Sequence, residues 1–451
     1  MPGSDPSSTG APALVARHLR ANVQAALADT RVVVVLGARQ VGKSTLVAQI
    51  AEGEPSRPVI TLDDDARRRG ANEDPTGFVS DLQTPVAIDE VQRAPALLLA
   101  IKQSVDEDQR PGRYLLAGSA NILTAPTIAD ALTGRAEYLQ LWPFSQAELW
   151  GVPPGLIATL FAGRPPHVLD AASERRAHAQ MLVAGGFPEA RRRAPDRRVS
   201  FYASYLGTVL DRDLGSIARV HDRANVRRLL GAVAAATGST LNLNNLSRDL
   251  GIAANTVRAH VDLLETLFLV YRLPAWHSNL LSRLGKAPKL HIVDSGLLGY
   301  LLSANAERVW SDPQIAGALI ETFVVMEIVR QASVDPDPPQ AFHLRDRGGH
   351  EVDMVLERRD GSVVGIEAKA AATAGRADFQ GLRLMRERLG ERFAFGALLY
   401  TGPATVPFGD RLAAIPLQAL WTDASLGGVK LVSSLPRSNE QKERTEPKQD
   451  K

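Results

Sequence analysis

The stretch RVVVVLGARQVGKSTLVAQIAEG, residues 31–53, decides the fold of the first third of the chain. Four valines and Leu36 make an apolar run of strand length, and a run without polar alternation suits a strand covered on both faces, as in a parallel sheet. TLVAQIAEG reads as the helix that follows it. Between them, Gly37 to Ser44 fits the pattern GxxxxGK[ST] in the strand–loop–helix setting that pattern requires. The glycines let the backbone curl so that its N–H groups converge on phosphate oxygens at a helix N-terminus. Gly37, Ala38, Arg39, Gln40, Val41, Gly42, Lys43, Ser44 and Thr45 are therefore candidate nucleotide contacts. Lys43 is expected to reach the β- and γ-phosphates of ATP, and Ser44 to offer its hydroxyl to Mg²⁺.

Moving outward, PVAIDEVQ supplies a second apolar strand that ends in Asp89 and Glu90. In a P-loop enzyme the first acid holds the Mg²⁺ shell and the second polarises the attacking water, which calls for carboxylates at a strand's C-terminal end. A third strand, RYLLAGS, ends in Ser119, which reads either as a contact to the γ-phosphate or its water, or as a plain strand terminus. Arg135, in ALTGRAEYLQL, reads as a surface arginine or as positive charge for the transition state, in its own subunit or a neighbouring one. An arginine acting across subunits would imply a dimer or ring. Strands alternating with helical stretches such as APALLLAIKQSVDE suggest a parallel sheet with crossover helices.

Composition sets the surrounding frame. Of 451 residues, 45% are apolar and 23% charged, as in ordinary globular chains with room for several cores. A formal charge of +2 is too mild to imply a nucleic-acid partner, so local clusters must carry that reading. With no cysteine, disulfides, thiolate zinc sites and cysteine nucleophiles are excluded. MPGSDPSSTGAP lacks the basic and apolar regions of a signal peptide, and no run of about 18 apolar residues occurs, so a cytoplasmic protein without membrane spans is expected. Punctuation suggests residues 1–12 disordered, an ATPase unit at 13–145, a mostly helical linker or lid at 146–235, a helix-turn-helix unit at 236–275, an α/β unit at 276–430 and a disordered tail at 431–451.

GARQVGKSTL, IDEVQ, LAGSANIL, LTGRAEYLQLWPFSQAEL, GGFPEA, YLGTVLDRDL, GALIETFV and GHEVDMVLE follow one another in an order that resembles a group of prokaryotic AAA-type ATPases. Members of that group carry a C-terminal domain of unknown function similar to the PD-(D/E)xK nuclease fold. The resemblance runs from about residue 15 to 420 and implies a P-loop ATPase, a winged-helix element and a nuclease-like domain. The arginine of the GR pair, Arg135, and the RD pair, Arg212 and Asp213, recur in the family pattern.

LNLNNLSRDLGIAANTVRAHVDLLETLFLVYRL, residues 241–273, reads as helix, tight turn at Gly251, helix and β strip. Val257, Val261 and Leu264 share one face of the second helix, leaving Asn255, Thr256, Arg258 and His260 exposed where a helix-turn-helix meets the major groove. Two readings stand: a DNA reader, or a unit packed against the ATPase that transmits its state. With Arg258 as the one basic side chain there and Asp262 near it, the second is the plainer.

HEVDMVLERRDGSVVGIEAKA, residues 350–370, reads as a hairpin in which loop length decides which side chains meet. A two-residue Asp360-Gly361 loop would put Asp353 opposite Ala368. A three-residue loop with Gly361 left-handed puts Asp353 opposite Glu367 and Glu351 opposite Lys369, with Met354, Leu356, Val364 and Ile366 on the apolar side. Facing carboxylates call for a cation, and oxygen ligands suit Mg²⁺ or Mn²⁺. Lys369 would then activate water or stabilise a phosphorane, and Glu321 resembles the further acid of the nuclease fold. These residues yield two functions: an ATPase coupled to a metal-dependent DNA nuclease, or a nucleotide-dependent regulatory or DNA-binding switch whose nuclease-like domain does not cut.

Overall fold

Strand β1 (Val32–Leu36) is buried along its whole length, and its two faces supply different cores. Val33 and Val35 pack into one with Leu19, Val23 and Leu46, while Val32, Val34 and Leu36 pack into another with Ile88, Leu97 and Ile101. This is the two-sided covering that an unbroken apolar strand requires. In the computed structural model, which describes residues 14–53, 55–119, 132–169, 175–213, 223–277, 283, 286–346 and 348–422, β1 belongs to a five-stranded sheet. Its order is β2-β3-β4-β1-β5, with β2 at Val59–Thr61, β3 at Val86–Asp89, β4 at Tyr114–Gly118 and β5 at Ala136–Gln140. Every neighbouring pair is parallel. Helix α1 (Leu19–Asp29) precedes β1, α2 (Lys43–Ala51) follows the phosphate loop, and α3 (Leu97–Glu107) leads to β4. The segments expected to be disordered, 1–12 and 431–451, lie outside the described residues, as do the side chains of Arg212 and Asp213.

The middle of the chain is helical. Helix α4 (Arg223–Ala235) packs on α5 (Leu243–Leu250) and α6 (Ala254–Thr266). Gly251, with φ of 70°, closes α5 at the turn expected from the sequence. Val257, Val261 and Leu264 are buried and Asn255, Thr256 and Arg258 exposed, but His260 is buried rather than groove-facing. Strand β6 (Val270–Leu273) then pairs antiparallel with β7 (Lys289–Ile292). Its chain also runs on to the next sheet through a bridge from Ala275 to His343.

That next sheet has six strands in the order β12-β13-β11-β10-β9-β8. Helix α7 (Pro313–Ala332) leads to β8 (Gln340–Arg345), β9 (Glu351–Glu357) and β10 (Val363–Lys369). Helix α8 (Gln380–Leu389), β11 (Phe393–Tyr400), β12 (Val406–Gly409) and β13 (Leu412–Pro416) follow. Helix, three strands, helix, strand is the order read from the sequence. In the β9–β10 hairpin, Leu356 pairs with Val364 and Met354 with Ile366. Arg358 N–H donates to the Ser362 carbonyl at 3.0 Å and Gly361 has φ of 81°. This is the three-residue loop with a left-handed glycine, and it puts all four of those apolar residues in the core.

A chain of buried charges joins the two sheets. Arg17, 8% exposed, donates to Glu148 at 3.1 Å and to the carbonyl of Val41 in the phosphate loop at 3.2 Å. Glu148 caps its own helix through Ser145, and the next N–H, of Gln146, donates to Glu327 of α7 at 2.9 Å. Arg330 closes the chain, donating to Glu327 at 2.7 Å and to the carbonyls of Phe144 and Val293 at 3.1 Å each. Among the described residues no helix is long and apolar enough to cross a membrane.

Candidate functional site

The phosphate loop leaves the C-terminal end of β1 and enters α2 at Lys43. Gly42 has φ of 101°, a conformation a side chain would strain, and it turns the loop into the helix. Gln40 holds φ of 58°, and such strain in a non-glycine residue gathers at functional sites. Lys43 is buried, and its ammonium donates to the carbonyls of Gly37 at 2.9 Å and Ala38 at 2.8 Å. Ser44 and Thr45 are exposed on the first turn of α2, where N–H groups lack intrahelical acceptors. Asp89 ends β3 and is buried; its Oδ1 accepts the N–H of Glu90 at 3.0 Å. Because β4 lies between β3 and β1, with α2 packed over β3 and β4, the acids, Ser119 and the loop share one edge of the sheet. Ammonium, hydroxyl, first-turn N–H groups and carboxylate form a set that fits a nucleotide triphosphate with Mg²⁺.

Two features of this edge were not legible in the sequence. Glu90 sits in the left-handed region, φ 57° and ψ 37°. Gln92 donates from Nε2 to the Glu90 carboxylate and accepts the Ser119 N–H at 3.2 Å. Arg135, by contrast, is not near this edge. It precedes β5, whose first residue is level with Val32, while the loop follows Leu36. The guanidinium therefore lies a strand's length away, roughly 15 Å, paired with Asp106 at 2.9 Å. A role at its own subunit's phosphates does not fit this placement.

The carboxylates of the second site do meet, around a cation that the sequence reading missed. Lys289, 1% exposed at the start of β7, reaches Glu351 at 2.6 Å, Glu321 at 2.9 Å and Asp353 at 3.1 Å. Burial pulls its pKa down, but the three carboxylates raise it further, so it stays charged. One ammonium cannot neutralise four acids. Burial and then Asp353 push Glu321 up to about 7, and the same two causes hold Glu367 well above the usual carboxylate range. Asp353 is further fixed by the N–H of Ala368 at 3.0 Å. Burial and the Lys289 charge keep His291 neutral, its pKa down at about 3.

Lys369 departs from expectation. Its ammonium pairs with Asp378, just before α8, instead of with Glu351 or the cluster. Glu351, Glu367, Lys369, Asp378 and His350 line a cleft of about 390 Å³. Among the described residues no group of three or more acidic or imidazole side chains is arranged to hold a metal ion. The place expected for Mg²⁺ or Mn²⁺ is served by Lys289, so these residues do not fit a metal in this arrangement. Lys289 was hidden because KLHIV reads as an ordinary apolar strand, far in sequence from the acids it meets.

Residues 29–150 match the family model of the AAA domain. Residues 175–308 and 316–420 match two domains of unknown function, DUF8612 and DUF4143. The uncharacterized proteins Rv2008c of Mycobacterium tuberculosis and Mb2031c of Mycobacterium bovis are each 28% identical over 416 residues, covering 91% of this chain and 85% of theirs. Among solved structures, the Walker-type ATPase PABY2304 of Pyrococcus abyssi aligns with 16% identity and a TM-score of 0.38, over 63% of this chain and 94% of that one. A point variant of RuvB from Thermotoga maritima aligns with 20% identity and a TM-score of 0.26, over 57% of this chain and 87% of that one. The AAA match falls on the segment that holds β1, the phosphate loop and the two acids of β3, so the N-terminal part of this chain is similar to an AAA domain where the phosphate loop lies.

Proposed function

We propose that the chain is an ATP-hydrolysing switch whose nucleotide state is passed to a C-terminal domain that binds without cutting. The observation that carries the ATPase half is the loop between β1 and α2, with buried Lys43 beside its carbonyls and Asp89 and Glu90 on the same sheet edge. In this reading the loop and Lys43 hold the phosphates, and Ser44 with Asp89 holds Mg²⁺, which supplies charge neutralisation when bound. Glu90 orients the water, and Ser119 lies beside the γ-phosphate. Arg135, a strand's length from its own loop, serves a neighbouring copy in this reading, which ties turnover to self-association.

For the C-terminal domain, Lys289 favours the switch over the nuclease. A buried ammonium already pairs with Glu321, Glu351 and Asp353, and Lys369 is turned to Asp378. On the winged-helix-like unit Arg258 is exposed on α6, while Arg272 beside it is paired with Asp262 and Glu265.

Two assays test the proposal. Lys43→Ala should abolish ATP hydrolysis in a folded protein, and Glu90→Gln should bind ATP but turn it over at least about 100-fold more slowly; unchanged rates in both variants would refute the ATPase. Plasmid incubated with Mg²⁺ or Mn²⁺ should stay intact, with and without ATP. Cleavage by wild type that disappears in Asp353→Ala would restore the nuclease reading.

A further inference from the structure

Gln92 lies in the short turn Val91–Arg93 after β3, half-buried, and both ends of its amide are used. Nε2 donates to Glu90 Oε2, and Oε1 accepts the Ser119 N–H at 3.2 Å. The amide cannot be turned over: its oxygen would then face a carboxylate and its NH₂ a backbone N–H, and both bonds would be lost. Glu90 needs such a restraint. Its left-handed backbone takes it off the line of β3, and Asp89 secures its N–H alone. Ser119, in turn, directly follows β4, the strand that separates β3 from β1 and the phosphate loop. A carboxylate on one strand end is thus tied through one amide to the backbone of the next.

We propose that Gln92 is a positioning residue for ATP hydrolysis, aiming the Glu90 carboxylate and making its aim depend on the end of β4. The inference rests on the ATPase reading above and adds the part that reads the β4 edge. A movement of Ser119 as nucleotide enters or phosphate leaves loosens Gln92 and lets Glu90 swing. Water is then polarised when the β4 edge is in its ATP-bound place. The bond to Ser119 separates this role from simple turn-capping, for which the contact with Glu90 would suffice.

The test compares full-length wild type, Gln92→Leu, Glu90→Gln and the double variant, with thermal melts and ATP binding as controls for folding. Gln92→Leu should lower kcat about 10- to 100-fold with KM for ATP changed less than about threefold, because orientation and not binding is lost. In single turnover the double variant should be no slower than Glu90→Gln, since Gln92 acts through Glu90. Full kcat in Gln92→Leu, a loss confined to KM, or a double variant slowed by the product of both effects would overturn the proposal. Wild type that does not hydrolyse ATP would overturn the ATPase reading itself; normal turnover with an indifferent Gln92 overturns this inference alone.

Discussion

Lys289 is held by charges and not by solvent: at 1% exposure its ammonium survives because Glu321, Glu351 and Asp353 surround it. Removing the buried ammonium leaves half-buried carboxylates facing one another without compensation, at a cost below the roughly 3–5 kcal/mol of a fully buried pair. Lys289→Met should therefore lower the melting temperature, and the deficit should shrink as pH falls from 8 to 5 because the orphaned carboxylates take up protons. A deficit that ignores pH would show that the lysine acts by packing only. At this scale the sequence was informative where a motif fixes neighbours in the chain. Lys43, Asp89 and Glu90 could be read because the pattern ties the lysine to a helix start and the two acids to a strand end. Lys289 and Gln92 could not, since each acquires its meaning from a partner that only the fold brings near.

The β9–β10 hairpin shows how far one turn constrains a larger element. Gly361, with φ of 81°, closes a three-residue loop; Asp360 accepts the Ser362 N–H at 2.8 Å, and Arg392 donates to the Gly361 carbonyl at 2.9 Å. A side chain in that conformation costs about 1–2 kcal/mol, so Gly361→Ala should destabilise by that amount in denaturant unfolding with the slope unchanged. Neutral or stabilising behaviour would mean that the loop is not held left-handed. This register was legible because a slip of one residue would have sent four apolar side chains to solvent. The pairing of β6 with β7 was not, because the bridging chain between residues 273 and 289 carries no turn signal of fixed length. His260 was misplaced for a related reason: helical spacing gives the face but not the width of what covers it.

Across the whole molecule, the charge chain from Arg17 to Arg330 puts the phosphate loop and α7 in one buried network. Nothing in the sequence announces it, although the stretches WPFSQAEL and GGFPEA supply its backbone: Phe144 N–H donates to Gly186 at 2.8 Å, and Gly186 N–H donates to Asp294 at 2.7 Å. Burial pushes Glu327 up to about 7, against which Arg330 pulls down. Between about pH 4.5 and 7 the folded chain thus holds a proton that the unfolded chain releases, and stability falls as pH rises through that window. Glu327→Gln should flatten this fall by about 3 kcal/mol at most; equal slopes for the two proteins would show that Glu327 stays ionised throughout.

The switch requires above all that Gly37–Ser44 enclose a triphosphate. Titration calorimetry of ATP with Mg²⁺ into the folded full-length protein tests this most directly. Saturable uptake of one ATP per chain, weakened at least about tenfold by Lys43→Ala, is the result expected. No uptake, or equal affinity in the variant, would contradict it.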